Sequence, residues 1–71
     1  MTDFSLLKDK IQDSGMTMVA ISKKSGILRE TLYNRMNGVG DFTAREMMAL
    51  SDTLKLSNSD RDAIFFAHKV E

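Results

Sequence analysis

Apolar residues recur along this chain at spacings of three and four, in five short stretches separated by glycine, serine or threonine. This spacing places apolar side chains on one face of an α-helix. No stretch alternates apolar and polar residues for long enough to indicate a β-strand. Proline is absent, and glycine occurs only at positions 15, 26, 38 and 40. The pattern therefore predicts an all-α protein of five short helices, forming a single domain over residues 1–71.

The first predicted helix lies near the N-terminus. Thr2 is its expected N-cap, with Asp3 favourable in the first turn, and Gly15 ends it. Its apolar stripe consists of Phe4, Leu6, Leu7 and Ile11.

The last two helices have recognisable start signals. Thr43 and Glu46 form a capping box for the fourth helix, preceded by Phe42, which can pack on Met47. The fourth helix is expected to bury Met47, Met48, Leu50 and Leu54. Ser57 and Asp60 form a weaker cap pattern for a fifth helix, which runs through Ile64, Phe65, Phe66 and Ala67. We expect one of the two adjacent phenylalanines to lie in the core.

The segment from residue 17 to residue 38 predicts two helices joined by a tight turn. Thr17 is the N-cap of the first, which runs from Met18 to Ser25, and Gly26 occupies a left-handed turn position. The second runs from Arg29 to Met36, with Leu32 and Met36 as its buried stripe. Two helices arranged in this way form a helix-turn-helix, whose second helix enters the major groove of DNA.

Charge is distributed unevenly, although the net charge is zero. Residues 17–38 carry four basic side chains and one acidic, a local charge of +3. Residues 1–16 carry −1 and residues 39–71 carry −2. A basic motif in an acidic frame can orient toward phosphate while limiting non-specific adhesion. The charge pattern is therefore compatible with selective nucleic-acid binding.

Composition argues against several other classes of protein. Cysteine is absent and His68 is the single histidine, so disulfides, multi-histidine zinc sites and a nucleophile–base pair are not expected. We therefore expect no enzymatic activity and no cofactor. No apolar run approaches the ~20 residues that span a bilayer, and the N-terminus lacks signal-peptide features. We expect a cytoplasmic protein of a bacterial host cell without a membrane partner.

These residues resemble a known family. The motif, its L-Y-N-R-M-N-G ending, the D-F-T-A-R-E-M start of the fourth helix and the D-A-I-F-F-A-H-K-V-E tail are similar to the Cro-like helix-turn-helix regulators of the XRE family. The chain most resembles the short single-domain members from phages of Gram-positive bacteria. This resemblance implies a lambda-repressor-like fold and a sequence-specific DNA-binding repressor.

The resemblance and side-chain chemistry together assign candidate DNA contacts. Candidate base contacts are Arg29, Glu30, Thr31, Tyr33 and Asn34. Candidate backbone contacts are Thr17, Met18, Lys23, Lys24, Arg35, Asn37 and Gly38. Lys23 and Lys24 are equally compatible with an ordinary solvated surface.

Four residues depart from the family pattern. Met18 replaces a glutamine that usually bonds phosphate, and Leu28 replaces the serine or threonine that usually caps the recognition helix. Ser25 and Arg35 occupy positions that are often aliphatic, which implies a slightly rotated recognition helix with Met36 carrying the burial.

Two functions are compatible with the sequence. The first is a transcriptional regulator that occupies double-stranded operator DNA, with a homodimer as the candidate form on DNA. The alternative is a small phage modulator or antirepressor that binds a partner repressor through Met18, Val19 and Leu28 or through the acidic half. Val70 and its neighbours are candidates for self-association.

Overall fold

The computed structural model describes residues 2–66, and these residues form five α-helices. The helices are α1 Phe4–Ser14, α2 Met18–Ser25, α3 Arg29–Met36, α4 Ala44–Leu54 and α5 Asn58–Phe65. Within residues 2–66 there is no β-strand, so the all-α prediction is confirmed for this part of the chain. None of these helices is long and apolar enough to cross a membrane.

Every helix contributes one completely buried side chain to a single core. These five residues are Leu7, Ile21, Leu32, Leu50 and Ile64. Ile27, Phe42 and Phe65 complete the buried cluster. The rings of Phe42 and Phe65 meet edge to face, with centroids 5.4 Å apart and an interplanar angle of 74°. This contact joins the segment before α4 to the end of α5.

The packing of the helices is uneven. α2 packs against both α3 and α4, whereas α1 and α5 pack against each other and against α4. α3 packs chiefly against α2, and its only buried residue is Leu32. α1, α2 and α3 therefore have one buried residue each, whereas α4 buries three and α5 buries two.

The predicted start of α1 is wrong by one residue. Asp3, not Thr2, is the N-cap, and its carboxylate accepts a hydrogen bond from the Leu6 N–H at 3.0 Å. The Asp3 N–H donates to the carbonyl of Ile64 at 2.7 Å. This long-range bond holds Asp3 in an extended conformation, so the helix begins at Phe4.

Two predictions about buried apolar residues need correction. Met48 was expected on the buried face of α4, but its side chain is 66% exposed. It lies about 100° around the helix from Met47, which takes the inward position. α5 ends at Phe65 and does not run on through Phe66, which is 54% exposed. The expected continuation through Ala67, and the predictions for His68 and Val70, lie outside the described residues.

Candidate nucleic-acid interface

The turn between α2 and α3 is fixed by backbone geometry and two serines. Gly26 has φ +78° and ψ +7°, and its N–H donates to Ser22 O at 2.9 Å. A Cβ at this position would meet nothing within 4 Å, so the positive φ alone favours glycine. Ser22 Oγ donates to Ile27 O at 2.5 Å, and the Ile27 N–H donates to Ser25 Oγ at 3.2 Å. These bonds set the direction in which α3 leaves the turn.

The two serines refine the sequence interpretation. Ser25 stands at a position expected to be aliphatic, and its hydroxyl instead satisfies a turn N–H. Ser22 was not identified from the sequence as a turn residue. Its position five residues before Ile27 becomes informative only once the turn geometry is known.

α3 presents most of its predicted base contacts to solvent. Arg29, Glu30, Tyr33 and Asn34 are exposed, whereas Leu32 is completely buried. At about 100° per residue, these four exposed residues span an arc of about 140° that excludes Leu32, with Arg29 at the edge nearest to it. The exposed arc pairs Arg29 with Tyr33 and Glu30 with Asn34, each four residues apart.

The remaining residues of α3 lie outside this arc. Thr31, also predicted to contact bases, is half-buried and lies beyond the Asn34 edge of the arc. Met36 is partly buried and packs against the core beside Leu32, as expected.

The start of α3 lacks a side-chain cap. Leu28 occupies the N-cap position with φ −58° and ψ 138°, and no side chain accepts from the first N–H groups of the helix. The serine or threonine cap that Leu28 replaces is therefore lost, and no other side chain supplies it. The Leu28 side chain is 74% exposed and lines an open groove together with Thr31 and Arg45.

The candidate backbone contacts do not form one cluster. Thr17 is exposed at the start of α2, where its hydroxyl oxygen accepts from the Ala20 N–H at 3.1 Å. Lys23 and Lys24 are exposed in the last turn, about 10 Å farther along the helix axis. Thr17 and the lysine pair would therefore meet different phosphates. Asn37 and Gly38 are exposed after α3.

Met18 lies in a different environment from these polar residues. Its side chain is partly buried and packs against the core cluster. A hydrophobic contact thus accounts for a methionine at this position.

Arg35 has partners within its own chain. Its Nε donates to Glu46 Oε1 at 3.3 Å, and its Nη1 donates to Val39 O at 3.3 Å. The Arg35 side chain is 24% exposed. A phosphate contact by Arg35 stays a prediction, but the structure gives the guanidinium a second role that the sequence did not indicate. The two ionic partners lie on different helices, so no spacing within a single helix predicts the pair.

No protein-family model matches this chain, and no curated protein or solved structure matches it either. Among residues 2–66, no three histidine, cysteine, aspartate or glutamate side chains are grouped to hold a metal ion. The functional assignment therefore depends on the exposed arc of α3 and its surroundings.

Proposed function

We propose that this protein is a sequence-specific DNA-binding transcriptional regulator of the Cro-like helix-turn-helix type. The observation that supports this proposal is the exposed polar arc of α3, joined to α2 by the Gly26 turn and anchored beneath by Leu32. A helix with one buried stripe and a separate exposed hydrogen-bonding face fits the major groove, which admits a single α-helix.

The chemistry of the arc matches the edges of the bases. Arg29 can donate two parallel hydrogen bonds to guanine O6 and N7, and Asn34 can pair with adenine N6 and N7. Glu30 can accept from cytosine N4, while its negative charge disfavours a contact with phosphate. Tyr33 and Thr31 can bond phosphate or contact a thymine methyl group. Arg29 and Asn34 are therefore the principal specificity residues of this proposal.

Contacts with the DNA phosphate backbone would fix the position of α3 relative to the base pairs. Thr17, Lys23 and Lys24 on α2 offer a hydroxyl and two ammonium groups. Asn37 and Gly38 offer an amide and an accessible backbone after α3. The acidic remainder of the chain keeps the non-specific electrostatic attraction small.

The proposed mode of action is occupancy of operator DNA. A protein bound in the major groove excludes polymerase or a competing repressor from the same site. Dimers of such proteins bind half-sites about one helical turn, ~34 Å, apart. This regulator would act in the cytoplasm of a bacterial host cell.

The decisive experiment is selection from a random duplex library, followed by affinity measurements on the selected site. Arg29→Ala and Asn34→Ala should each cost about 1–3 kcal/mol and relax preference at one base position. Lys8→Ala is the matched control for charge, because Lys8 is exposed on α1, which packs against α4 and α5. Binding without sequence preference, or equal losses in all three variants, would contradict the proposal.

A second candidate function is binding of a partner repressor protein. It is favoured by the exposure of Leu28 and Val19, two apolar side chains of the α2–α3 segment that are 74% and 42% exposed. Under this alternative, Leu28→Ala would abolish capture of the repressor, and the protein would shift no duplex. Under the DNA-binding proposal, selection enriches a common sequence in the absence of any partner.

A further inference from the structure

We infer that Arg35 is a positioning residue, which holds the C-terminal end of α3 against the start of α4 through Glu46. This inference rests on the proposed function, because the value of a fixed α3 lies in presenting its exposed arc to DNA. It gives Arg35 a role within the protein, as an alternative to the phosphate contact that the sequence predicted.

Glu46 provides a fixed acceptor for Arg35. Its Oε1 accepts from the Thr43 N–H at 3.0 Å as part of the capping box, and the same atom accepts from Arg35 Nε. Both ionic side chains are largely shielded from water, with 24% of Arg35 and 16% of Glu46 exposed. The capping box at the start of α4 therefore orients the same carboxylate that accepts from the guanidinium.

Arg35 also organises the loop between α3 and α4. Its Nη1 donates to the Val39 carbonyl, and the guanidinium lies where a side chain at Gly40 would stand. A Cβ at Gly40 would lie 2.5 Å from Nη1 and 3.2 Å from Cζ. Gly40 therefore serves the loop twice, by adopting φ +75° and by leaving room for Arg35.

The Arg35–Glu46 ion pair can orient α3 because this helix has few other tertiary contacts. Leu32 is its one buried residue, and its packing partner is chiefly α2. Rotation of α3 about Leu32 would displace Asn34, which is adjacent to Arg35 in the chain. Binding residues need to be held within about 0.5 Å by supporting hydrogen bonds. The Arg35–Glu46 pair supplies this support at the end of the helix opposite the Gly26 turn.

The substitution Glu46→Gln separates positioning from direct contact. Glutamine at this position can still complete the capping box, so the start of α4 is retained. Removing a negative charge would strengthen DNA binding if only electrostatics mattered. The positioning role predicts the opposite, a loss of about two- to fivefold in affinity for the selected site, the scale of a partly exposed ion pair.

Arg35→Gln completes the test through the salt dependence of binding. Loss of a phosphate contact lowers the slope of log affinity against log salt by about 1. The positioning role predicts an unchanged slope, a loss similar to that of Glu46→Gln, and no further loss in the double variant. A slope reduced by about 1, together with normal or tighter binding by Glu46→Gln, would overturn the inference.

A matched pair of glycine variants tests the same contact without DNA. Gly40→Ala and Gly15→Ala both strain a positive φ, but a Cβ at Gly15 meets nothing within 4 Å. Gly40→Ala should therefore destabilise the fold more, and the excess should disappear in the background of Arg35→Ala. An equal effect of the two glycine variants would show that the guanidinium moves away from Gly40 at no cost, which would contradict a fixed position for Arg35.

Failure of the proposed function is distinguishable from failure of this inference. If the unmodified protein selects no DNA sequence, the proposed function is wrong. Amide exchange then decides the positioning role by itself: Glu46→Gln should speed exchange of the Gly38 and Val39 N–H groups, which bond to Arg35 O and Asn34 O at the end of α3. Unchanged exchange at both amides would contradict it.

Discussion

The starts of α3 and α4 differ in how the backbone N–H groups of the first helical turn find acceptors. At α4, Thr43 accepts from the Glu46 N–H at 3.1 Å, and Glu46 accepts from the Thr43 N–H at 3.0 Å. At α3, Leu28 accepts no hydrogen bond with its side chain and is 74% exposed. α4 therefore carries a local signal that stabilises its first turn, whereas α3 depends on the Gly26 turn and on Leu32.

This difference coincides with the difference in proposed role. α4 is a scaffold helix that contacts α1, α2 and α5, and its first turn is satisfied within the protein. α3 presents the candidate DNA-contacting arc, and its first N–H groups meet no side-chain acceptor. A binding element gains accessible donors at the expense of local stability, because a cap occupies the same groups that a ligand could meet.

Of the variants that test this difference, the one that removes the buried side chain of α3 should lower the free energy of unfolding most. Leu32→Ala creates a cavity beneath α3 and should cost about 2–5 kcal/mol of unfolding free energy. Chemical denaturation measures this loss, with Asn34→Ala as the surface control, expected within about 0.5 kcal/mol of the unmodified protein. A small effect of Leu32→Ala would mean that α3 is held by something other than its buried stripe.

Removing the cap of α4 should have an intermediate effect. Thr43→Ala deletes the hydroxyl that accepts from Glu46 N–H, and we expect a loss of about 1 kcal/mol in thermal or chemical unfolding. Thr43→Ser keeps the hydroxyl and should remain close to the unmodified protein. Equal stability of the alanine and serine variants would remove the distinction between the two helix starts.

Adding a cap to α3 should make its start more similar to that of α4. Leu28→Thr supplies the missing acceptor and, because Leu28 is exposed, sacrifices little packing. We expect a gain of about 0.5–1 kcal/mol relative to Leu28→Ala, measured by thermal unfolding. If the threonine and alanine variants are equally stable, the uncapped start does not limit the stability of α3.

The smallest effects are expected at the exposed end of α2. Lys23→Ala and Lys24→Ala should each change the unfolding free energy by less than about 0.5 kcal/mol. If they contact phosphate, each should lower the salt slope of DNA binding by about 1. An unchanged slope in both variants would assign the two lysines to an ordinary solvated surface.

Local sequence predicted which residues of α3 are exposed in the candidate site, but not the burial of Met18. The three- and four-residue spacing around Leu32 correctly predicted the exposure of Arg29, Glu30, Tyr33 and Asn34. The partial burial of Met18 was missed, because a methionine at a helix start fits surface and core equally well.

The sequence by itself determined the helices and most of their ends. Thr17, Thr43 and Ser57 cap as predicted, and Gly15 and Gly26 adopt left-handed conformations as predicted. These features were predictable because caps and turns depend on residues within four positions of one another.

Tertiary structure decided everything that depends on residues far apart in the chain. The bond from Asp3 to Ile64 set the start of α1, and packing selected Phe65 rather than Phe66 for the core. The partnership of Arg35 with Glu46 likewise formed only when α3 was brought against the start of α4. Hydrogen bonds and apolar burial across the core choose among locally equivalent residues, and that choice has no periodic signal in the sequence.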